Sequence, residues 1–260
     1  MTAEVVLIEV SDGVGTITLH RPEIRNAINN AMRQGLRAAV EHLEQDPDVV
    51  VMILTGTDPA FCAGLDLKEL GQGEARPGTN PEGNRSTSPF PDKTKPLIGA
   101  VNGPAITGGF ELALNCDFLI ASERAVFADT HARVGVMPGW GLTALLADAV
   151  GVRRAREISL SGNFVTAAEA LTWGLVNRVV PHDELLPTTI RIASDIAAND
   201  PVGVRRMLAT YGEQEEARLA DAWRLEGEGA RAFRRQVGFS PAEVEARRQA
   251  IIARGRSQIS

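Results

Sequence analysis

A glycine pair followed by a glutamate is the most chemically suggestive feature of the sequence. An apolar strand pattern over 95–101 is broken at 102–104, and a helical pattern begins near Gly109. Backbone N–H groups at the start of such a helix have no helical partner and can stabilise a developing oxyanion beside Gly108. Glu111, about one turn on, would add a base. The structural alternative is that Glu111 only pairs favourably with the helix dipole.

Two further residues could carry chemistry. His131 lies in an irregular, glycine-rich segment over 129–141, and histidine exchanges protons near neutral pH. A single loop histidine is nevertheless more often a hydrogen-bonded structural residue. Arg25 lies in a connection over 20–27 without clear periodicity, and its simplest interpretation is a solvated surface cation. Residue types alone leave both roles open.

The elements that must position these residues alternate in the first two thirds of the chain. The pattern predicts a hairpin over 5–19, a helix over 32–43 and a central strand over 49–55 that is apolar on both faces. Two short strands are predicted over 118–121 and 125–127. The loop over 56–68 follows the central strand. Because ligands of α/β sheets bind beyond the carboxyl ends of strands, this loop is predicted to form a wall of the site.

The last third of the sequence predicts mainly helices. They cover 142–150, 167–173, the stretch from 183 onward, 201–233 and 240–254, and Thr166-Glu169 and Ser240-Glu243 have the spacing of capping boxes. The segment 71–92 is rich in Gly, Pro, Ser, Thr and Asn, which predicts a mobile loop or lid rather than a domain linker.

The composition is that of an ordinary globular enzyme. The 260 residues are 44% hydrophobic and 23% charged, with a formal net charge of −6. This charge disfavours nucleic acid or an anionic membrane as partner. The two cysteines and four histidines have neither a disulfide framework nor a metal-binding spacing, so we expect no metal. Residues 1–5 do not have a signal-peptide pattern, which predicts a cytoplasmic location.

Five sequence blocks in order resemble the crotonase superfamily, the enoyl-CoA hydratase/isomerase family. They are RPEIRNA at 21–27, FCAGLDLK at 61–68, GPAITGGFELALNCD at 103–117, GVMPGWGLT at 135–143 and AEALTWGLV at 168–176. Each block alone is weak evidence, whereas the ordered set covers most of the chain.

The resemblance implies an α/β fold, a spiral of repeated ββα units over 1–195. A C-terminal helical region over 196–260 would pack the chain into homotrimers, often paired into hexamers. The ligand would be an acyl-CoA thioester, with coenzyme A as part of the substrate and no covalently bound cofactor.

The resemblance also implies roles for particular residues. The backbone N–H groups of Leu65 and Gly108 would form the oxyanion hole, and Glu111 would match the first catalytic glutamate. Contacts with CoA and substrate would come from Arg25, Ala63, Gly64, Asp66, Leu67, Lys68, Thr107, Gly109 and Trp140.

One position departs from the family pattern. Hydratases of the family use a second glutamate, and its place twenty residues after Glu111 is taken by His131. Imidazole can donate or accept a proton, so an enoyl-CoA hydratase with Glu111 activating water and His131 assisting is our first hypothesis. The alternatives are double-bond isomerisation, thioester hydrolysis or decarboxylation through the same enolate, or a non-catalytic acyl-CoA binder.

Overall fold

The computed structural model describes residues 5–71, 88–238 and 241–258, which form two β-sheets surrounded by helices. The strands are β1 (Val6–Ser11), β2 (Val14–Leu19), β3 (Val51–Gly56), β4 (Leu97–Val101), β5 (Ala105–Ile106), β6 (Phe118–Ser122), β7 (Val126–Ala128), β8 (Val165–Thr166) and β9 (Arg178–Val180). The helices are α1 (Asn30–Gln45), α2 (Leu67–Gly71), α3 (Gly108–Leu114), α4 (His131–Val134), α5 (Leu142–Val150), α6 (Val152–Ser161), α7 (Ala167–Trp173), α8 (Leu185–Ala197), α9 (Pro201–Val237) and α10 (Pro241–Arg256).

The main sheet has the strand order β1-β2-β3-β4-β6-β9. Only its β1–β2 pair is antiparallel, and each of the other pairs is parallel. Every residue of β3 is buried, as the continuous apolar run predicted for a strand covered on both faces. A smaller sheet, β5-β7-β8, lies where the chain leaves β4 and enters α3. The carboxyl ends of the parallel strands, and the loops that follow them, therefore lie at the same edge of the sheet.

Helix α1 shows how the local sequence sets an element that covers the sheet. The Asn29 side chain caps the helix by accepting the Met32 N–H, and the helix packs on β1 and β2 through five buried residues at helical spacing, Met32, Leu36, Ala39, Val40 and Leu43. The Lys95 ammonium, buried, donates to the carbonyls of Leu43 and Asp46 near the end of this helix. The start of β4 is thereby attached to the C-terminus of α1.

The C-terminal helices differ in what they cover. Helix α8 packs on one face of the main sheet, against β2, β3, β4 and β6. Helix α9 runs for 37 residues, is largely exposed and contacts α5. Helix α10 folds back onto α2 and α4, next to the loops at the carboxyl ends of the strands. No helix within the described residues is long and apolar enough to cross a lipid bilayer.

The predicted α/β class and most of the predicted elements are confirmed. The sequence missed α6, the short strands β5, β8 and β9, and the single turn α4, which lies within 129–141 where only irregular structure was expected. The Thr166-Glu169 capping box is present. Ser240 and residues 72–87 of the expected lid lie outside the described residues. The domain boundary near 195 stays a prediction.

Candidate active site

Helix α3 begins at a strained turn. Thr107 has φ 55° and ψ −111°, a conformation that costs a non-glycine residue roughly 1–3 kcal/mol. Its N–H donates to the Ala128 carbonyl and its hydroxyl hydrogen-bonds the Thr130 hydroxyl at 2.5 Å. These contacts hold the turn against β7 and the loop before α4. The first helical residue, Gly108, is consequently placed beside the 61–68 loop.

Two backbone N–H groups lie close together at this turn, those of Leu65 and Gly108. The neighbouring residues of Leu65 bond to Ile28: Ile28 N–H donates to the Gly64 carbonyl, and Asp66 N–H donates to the Ile28 carbonyl. The Leu65 N–H faces the other way, and a Cβ placed on Gly108 would lie 3.7 Å from the Leu65 nitrogen. Neither N–H donates a hydrogen bond to another described residue. The two N–H groups are therefore free to donate to one carbonyl oxygen.

Glu111 lies on α3 one turn beyond Gly108 and is 3% exposed. Its Oε1 accepts the backbone N–H groups of Gly139 (3.1 Å) and Trp140 (2.8 Å). Its Oε2 lies 3.4 Å from Nε2 of His131. A glutamate that only complemented the helix dipole would be solvated at the surface. This one is buried, fixed by a distant loop, and keeps one oxygen directed at a titratable group.

His131 lies between two carboxylates. Its Nδ1 is 2.7 Å from Oδ1 of Asp129, and the same oxygen accepts the His131 backbone N–H at 3.1 Å. Burial alone would lower the pKa of His131, but the facing charge of Glu111 and the hydrogen bond with Asp129 raise it to about 10. Burial would raise the pKa of Asp129, and the hydrogen bond and charge of His131 lower it instead. The two carboxylates thus favour the protonated form of the imidazole.

A buried glutamate from α9 supports the loop that holds Glu111. Glu226 is 5% exposed and accepts the N–H groups of Gly141 (2.8 Å) and Thr143 (2.7 Å) and the Thr143 hydroxyl (2.5 Å). It therefore caps the N-terminus of α5 from another element. The residues immediately before, at 139–140, donate to Glu111. Helix α9 is in this way connected to the carboxylate of Glu111.

Trp140 and Gly109 shape the space around α3. A Cβ on Gly108 would lie 3.6 Å from the indole of Trp140, and the Arg33 guanidinium lies 5.5 Å from the centroid of that ring. A Cβ on Gly109 would lie only 2.1 Å from the Cys62 carbonyl oxygen. The structure thus explains Gly109 by the packing of α3 on the 61–68 loop, whereas a substrate contact there stays a prediction.

A cleft of about 640 Å³ leads to this region. Its wall contains seven of the residues that the sequence suggested for CoA, substrate or the oxyanion: Arg25, Ala63, Leu65, Asp66, Leu67, Lys68 and Thr107. Asp66 also forms an ion pair with Arg21 at 3.3 Å. Glu111, His131 and Trp140 are buried and are not part of the cleft wall, although Thr107 and Thr130, which lie close to Glu111 and His131 in the sequence, are.

Sequence reasoning missed three contributions to this region. Asp129 is two residues from His131 and could have been suspected from that spacing alone. Glu226 could not, since it is 85 residues from Gly141 on a helix that reads as a surface element. The third is α10, which adds Arg248 and Arg256 to the cleft wall. The presence of these two arginines in the cleft wall depends on how α10 folds back, which no local sequence pattern predicts.

Comparison with known proteins agrees with this geometry. The family model described as enoyl-CoA hydratase/isomerase matches residues 9–238. A probable peroxisomal enoyl-CoA hydratase 1 of Arabidopsis thaliana is 37% identical over 249 residues, covering 94% of this chain and 91% of its own length. A short-chain-enoyl-CoA hydratase of Clostridium acetobutylicum is 36% identical over 203 residues, covering 77% of this chain and 78% of its own.

A solved structure gives the same result in three dimensions. The crystal structure of an enoyl-CoA hydratase from Mycobacterium avium superposes with a TM-score of 0.83 at 46% identity, covering 90% of this chain and 98% of that one. The chain thus shares its overall fold with a solved enoyl-CoA hydratase. The chain belongs to the enoyl-CoA hydratase/isomerase family.

Proposed function

We propose that this protein hydrates trans-2-enoyl-CoA thioesters, adding water across the double bond conjugated to the thioester carbonyl. The observation that carries the proposal is the buried pair Glu111 Oε2 and His131 Nε2, 3.4 Å apart, one helical turn from the Gly108 N–H. Relatives named as enoyl-CoA hydratases support the same reaction.

The oxyanion site activates the substrate. The thioester carbonyl oxygen accepts the N–H groups of Leu65 and Gly108, which withdraws electrons from the conjugated system and makes the β-carbon electrophilic. As negative charge builds on that oxygen, the two preorganised donors stabilise the enolate. Removing one such donor from other enzymes costs about 2.7–4 kcal/mol of transition-state stabilisation.

Glu111 and His131 move the protons. Glu111 takes a proton from water as the water oxygen bonds to the β-carbon, and the π electrons shift onto the thioester oxygen to form the enolate. The enolate then re-forms the carbonyl, and its α-carbon takes the proton from Nε2 of His131. The proton left on Glu111 passes to Nε2, 3.4 Å away, which restores both groups for the next cycle.

The cleft would hold the CoA part of the substrate. Arg25 and Lys68 lie on its wall with Arg248 and Arg256 of α10, so phosphate groups meet local cations although the chain carries a net charge of −6. No covalently bound cofactor takes part in the proposed reaction, because coenzyme A enters as part of the substrate.

Three broader features accompany the proposal. We expect a role in fatty acid or related acyl-CoA metabolism, and assembly into trimers or hexamers through the C-terminal helices. The cytoplasmic location stays a prediction, and the Arabidopsis relative is named as peroxisomal.

The test is hydration of crotonyl-CoA and of a longer trans-2-enoyl-CoA, followed as loss of the absorbance of the conjugated thioester. Wild type is expected to turn over. Glu111→Gln keeps the shape of the side chain but removes the base, so kcat/KM should fall by about 10²–10⁴-fold. His131→Ala should lower kcat by a similar factor. Glu41→Gln and His42→Ala, both exposed on α1, are the matched controls.

An inactive wild type would reject the hydratase assignment. Activity on 3-enoyl, β-keto or malonyl-type thioesters, measured in the same preparation, would then identify another reaction through the same enolate. Binding of CoA without turnover of any of these thioesters would identify a non-catalytic acyl-CoA binder.

A further inference from the structure

We infer that Asp129 is a positioning residue for His131: its carboxylate fixes the imidazole so that a protonated Nε2 faces Glu111. The kinetic part of this inference rests on the proposed hydration, whereas the contact itself does not. Asp129 touches neither the oxyanion N–H groups nor Glu111 in the structure. It acts through the ring that it holds.

The geometry fixes the orientation of the ring. Oδ1 of Asp129 accepts from both Nδ1 (2.7 Å) and the backbone N–H (3.1 Å) of His131, so ring and main chain are attached to one oxygen. Asp129 is itself 2% exposed, and the Ser159 hydroxyl of α6 helps to lower the pKa of its carboxyl group. With Nδ1 held in this way, the opposite nitrogen has one direction available, toward Glu111.

The same contacts determine where the protons are. A carboxylate only accepts hydrogen bonds, so the contact with Asp129 places a proton on Nδ1. A neutral ring of that tautomer would present the Nε2 lone pair to the Glu111 carboxylate, and two acceptors would face each other at 3.4 Å. A second proton on Nε2 removes this conflict. The imidazolium is therefore the form that satisfies both neighbours.

The other elements packed against α4 bring no group that replaces Asp129. Helix α3 contributes Glu111, and α6 contributes the neutral Ser159 hydroxyl. Helix α10 brings cations: Arg254 acts on the neighbouring Arg133, and Arg247 lies beside Gly135. Cations disfavour a protonated histidine, so the charge state of His131 depends on the two carboxylates.

A purely structural role for Asp129 makes a different prediction. Its bond to the His131 backbone N–H could serve only to begin the short helix α4. Asparagine keeps a side-chain oxygen that can accept both bonds but removes the negative charge. Asp129→Asn thus separates the two roles, because a helix-starting function survives the substitution and the charge-dependent one does not.

The experiment combines imidazole ¹⁵N NMR with kinetics on the full-length protein. In wild type the His131 resonances should stay those of imidazolium between pH 6 and 8.5. In Asp129→Asn the titration should move into that range. The alkaline limb of kcat for crotonyl-CoA should move to lower pH by about one unit or more. At pH 8 we expect kcat to fall about 10- to 100-fold, part of what general acid catalysis contributes, with KM changed less than about threefold.

A further variant and the wild-type spectra keep the inference falsifiable. Asp129→Glu retains the charge and should restore the imidazolium resonances. If Asp129→Asn does not fold, the wild-type spectra alone decide, because a His131 ring that titrates as neutral imidazole between pH 6 and 8.5 would overturn the inference. An Asp129→Asn protein that titrates as wild type by NMR would overturn the inference. Wild type inactive on enoyl-CoA, together with the expected NMR shift, would reject the hydration reaction but support the role of Asp129.

Discussion

Substitution of Gly109 by alanine tests how strongly backbone packing fixes the proposed oxyanion hole. A Cβ at this position would lie 2.1 Å from the Cys62 carbonyl oxygen and 2.8 Å from the Cys62 carbonyl carbon. Both are main-chain atoms, and Cys62 also accepts the Ile106 N–H at 2.9 Å, so the contact cannot be relieved by turning a side chain. Helix α3 and the 61–68 loop must separate instead.

The required separation gives the magnitude. Even a tight contact of about 3 Å demands a shift of about 1 Å from 2.1 Å. The loop carries the Leu65 N–H, and α3 carries the Gly108 N–H and Glu111, so the shift separates the groups that act together. A misplacement of about 1 Å can cost 10²-fold in rate, and loss of one oxyanion donor costs 10²–10³-fold. We therefore expect kcat/KM for crotonyl-CoA to fall by about 10²–10³-fold.

The stability effect should be smaller than the effect on rate. Overpacking costs typically 1–3 kcal/mol, partly offset by up to about 1 kcal/mol from the better helix propensity of alanine. Gly212→Ala on α9 is the matched control, since a Cβ there meets nothing within 4 Å among the described residues. The control should retain activity and gain about 0.5–1 kcal/mol. A Gly109→Ala enzyme with kcat/KM within threefold of wild type would refute this reasoning.

Three other perturbations address the groups around Glu111. Glu226→Gln weakens the support of the 139–141 loop, so kcat should fall at least about tenfold, and the free energy of unfolding should fall by about 1–3 kcal/mol. Full activity of this variant would show that α9 does not influence the site. Because the folded pKa of His131 (about 10) lies above its ordinary value, the folded state binds more protons, and its contribution to stability is complete below pH 6.5 and decreases as pH rises toward 10. Urea unfolding at fixed protein concentration should show a decline of up to about 1.4 kcal/mol per pH unit between pH 7 and 8.5, and a rising curve would contradict it. Trp140→Ala should favour longer enoyl chains over crotonyl-CoA by about tenfold in relative kcat/KM, whereas an unchanged ratio would place the indole away from the acyl group.

The predictable part of the fold is the part encoded by local periodicity. The central strand β3 is one apolar run and α1 repeats apolar residues at helical spacing, so each signal lies within its own segment. Helix α6 was missed because only Ala155 and Ile158 are buried along it, which leaves too weak an apolar stripe to recognise. The turn α4 was missed because four residues cannot display a helical period.

The candidate site could be predicted where its residues are close together in the sequence, and not where they come from distant segments. Gly108 and Glu111 lie on one helix, so their proximity is a matter of spacing. The bonds that make Glu111 more than a dipole partner come from 139–140, and those depend in turn on Glu226. Long-range hydrogen bonds of this kind leave no periodic trace. The family resemblance placed His131 opposite Glu111, but its dependence on Asp129 required the geometry.

The charge of the site gives a reason why histidine can stand where the family resemblance predicts a second catalytic glutamate. A glutamate pair in which one member is a base and the other an acid carries one proton and a net charge of −1. Here Glu111 and Asp129 contribute −2 and the imidazolium of His131 contributes +1, which again gives −1. His131→Glu alone would gather three carboxyl groups in one buried cluster, where their charges would repel one another. The double variant Asp129→Asn/His131→Glu restores a charge of −1. We therefore expect the double variant to hydrate crotonyl-CoA at least about tenfold faster than His131→Glu, because this repulsion is reduced. Equal rates for the two variants would show that the charge carried by Asp129 has no part in the function of this site.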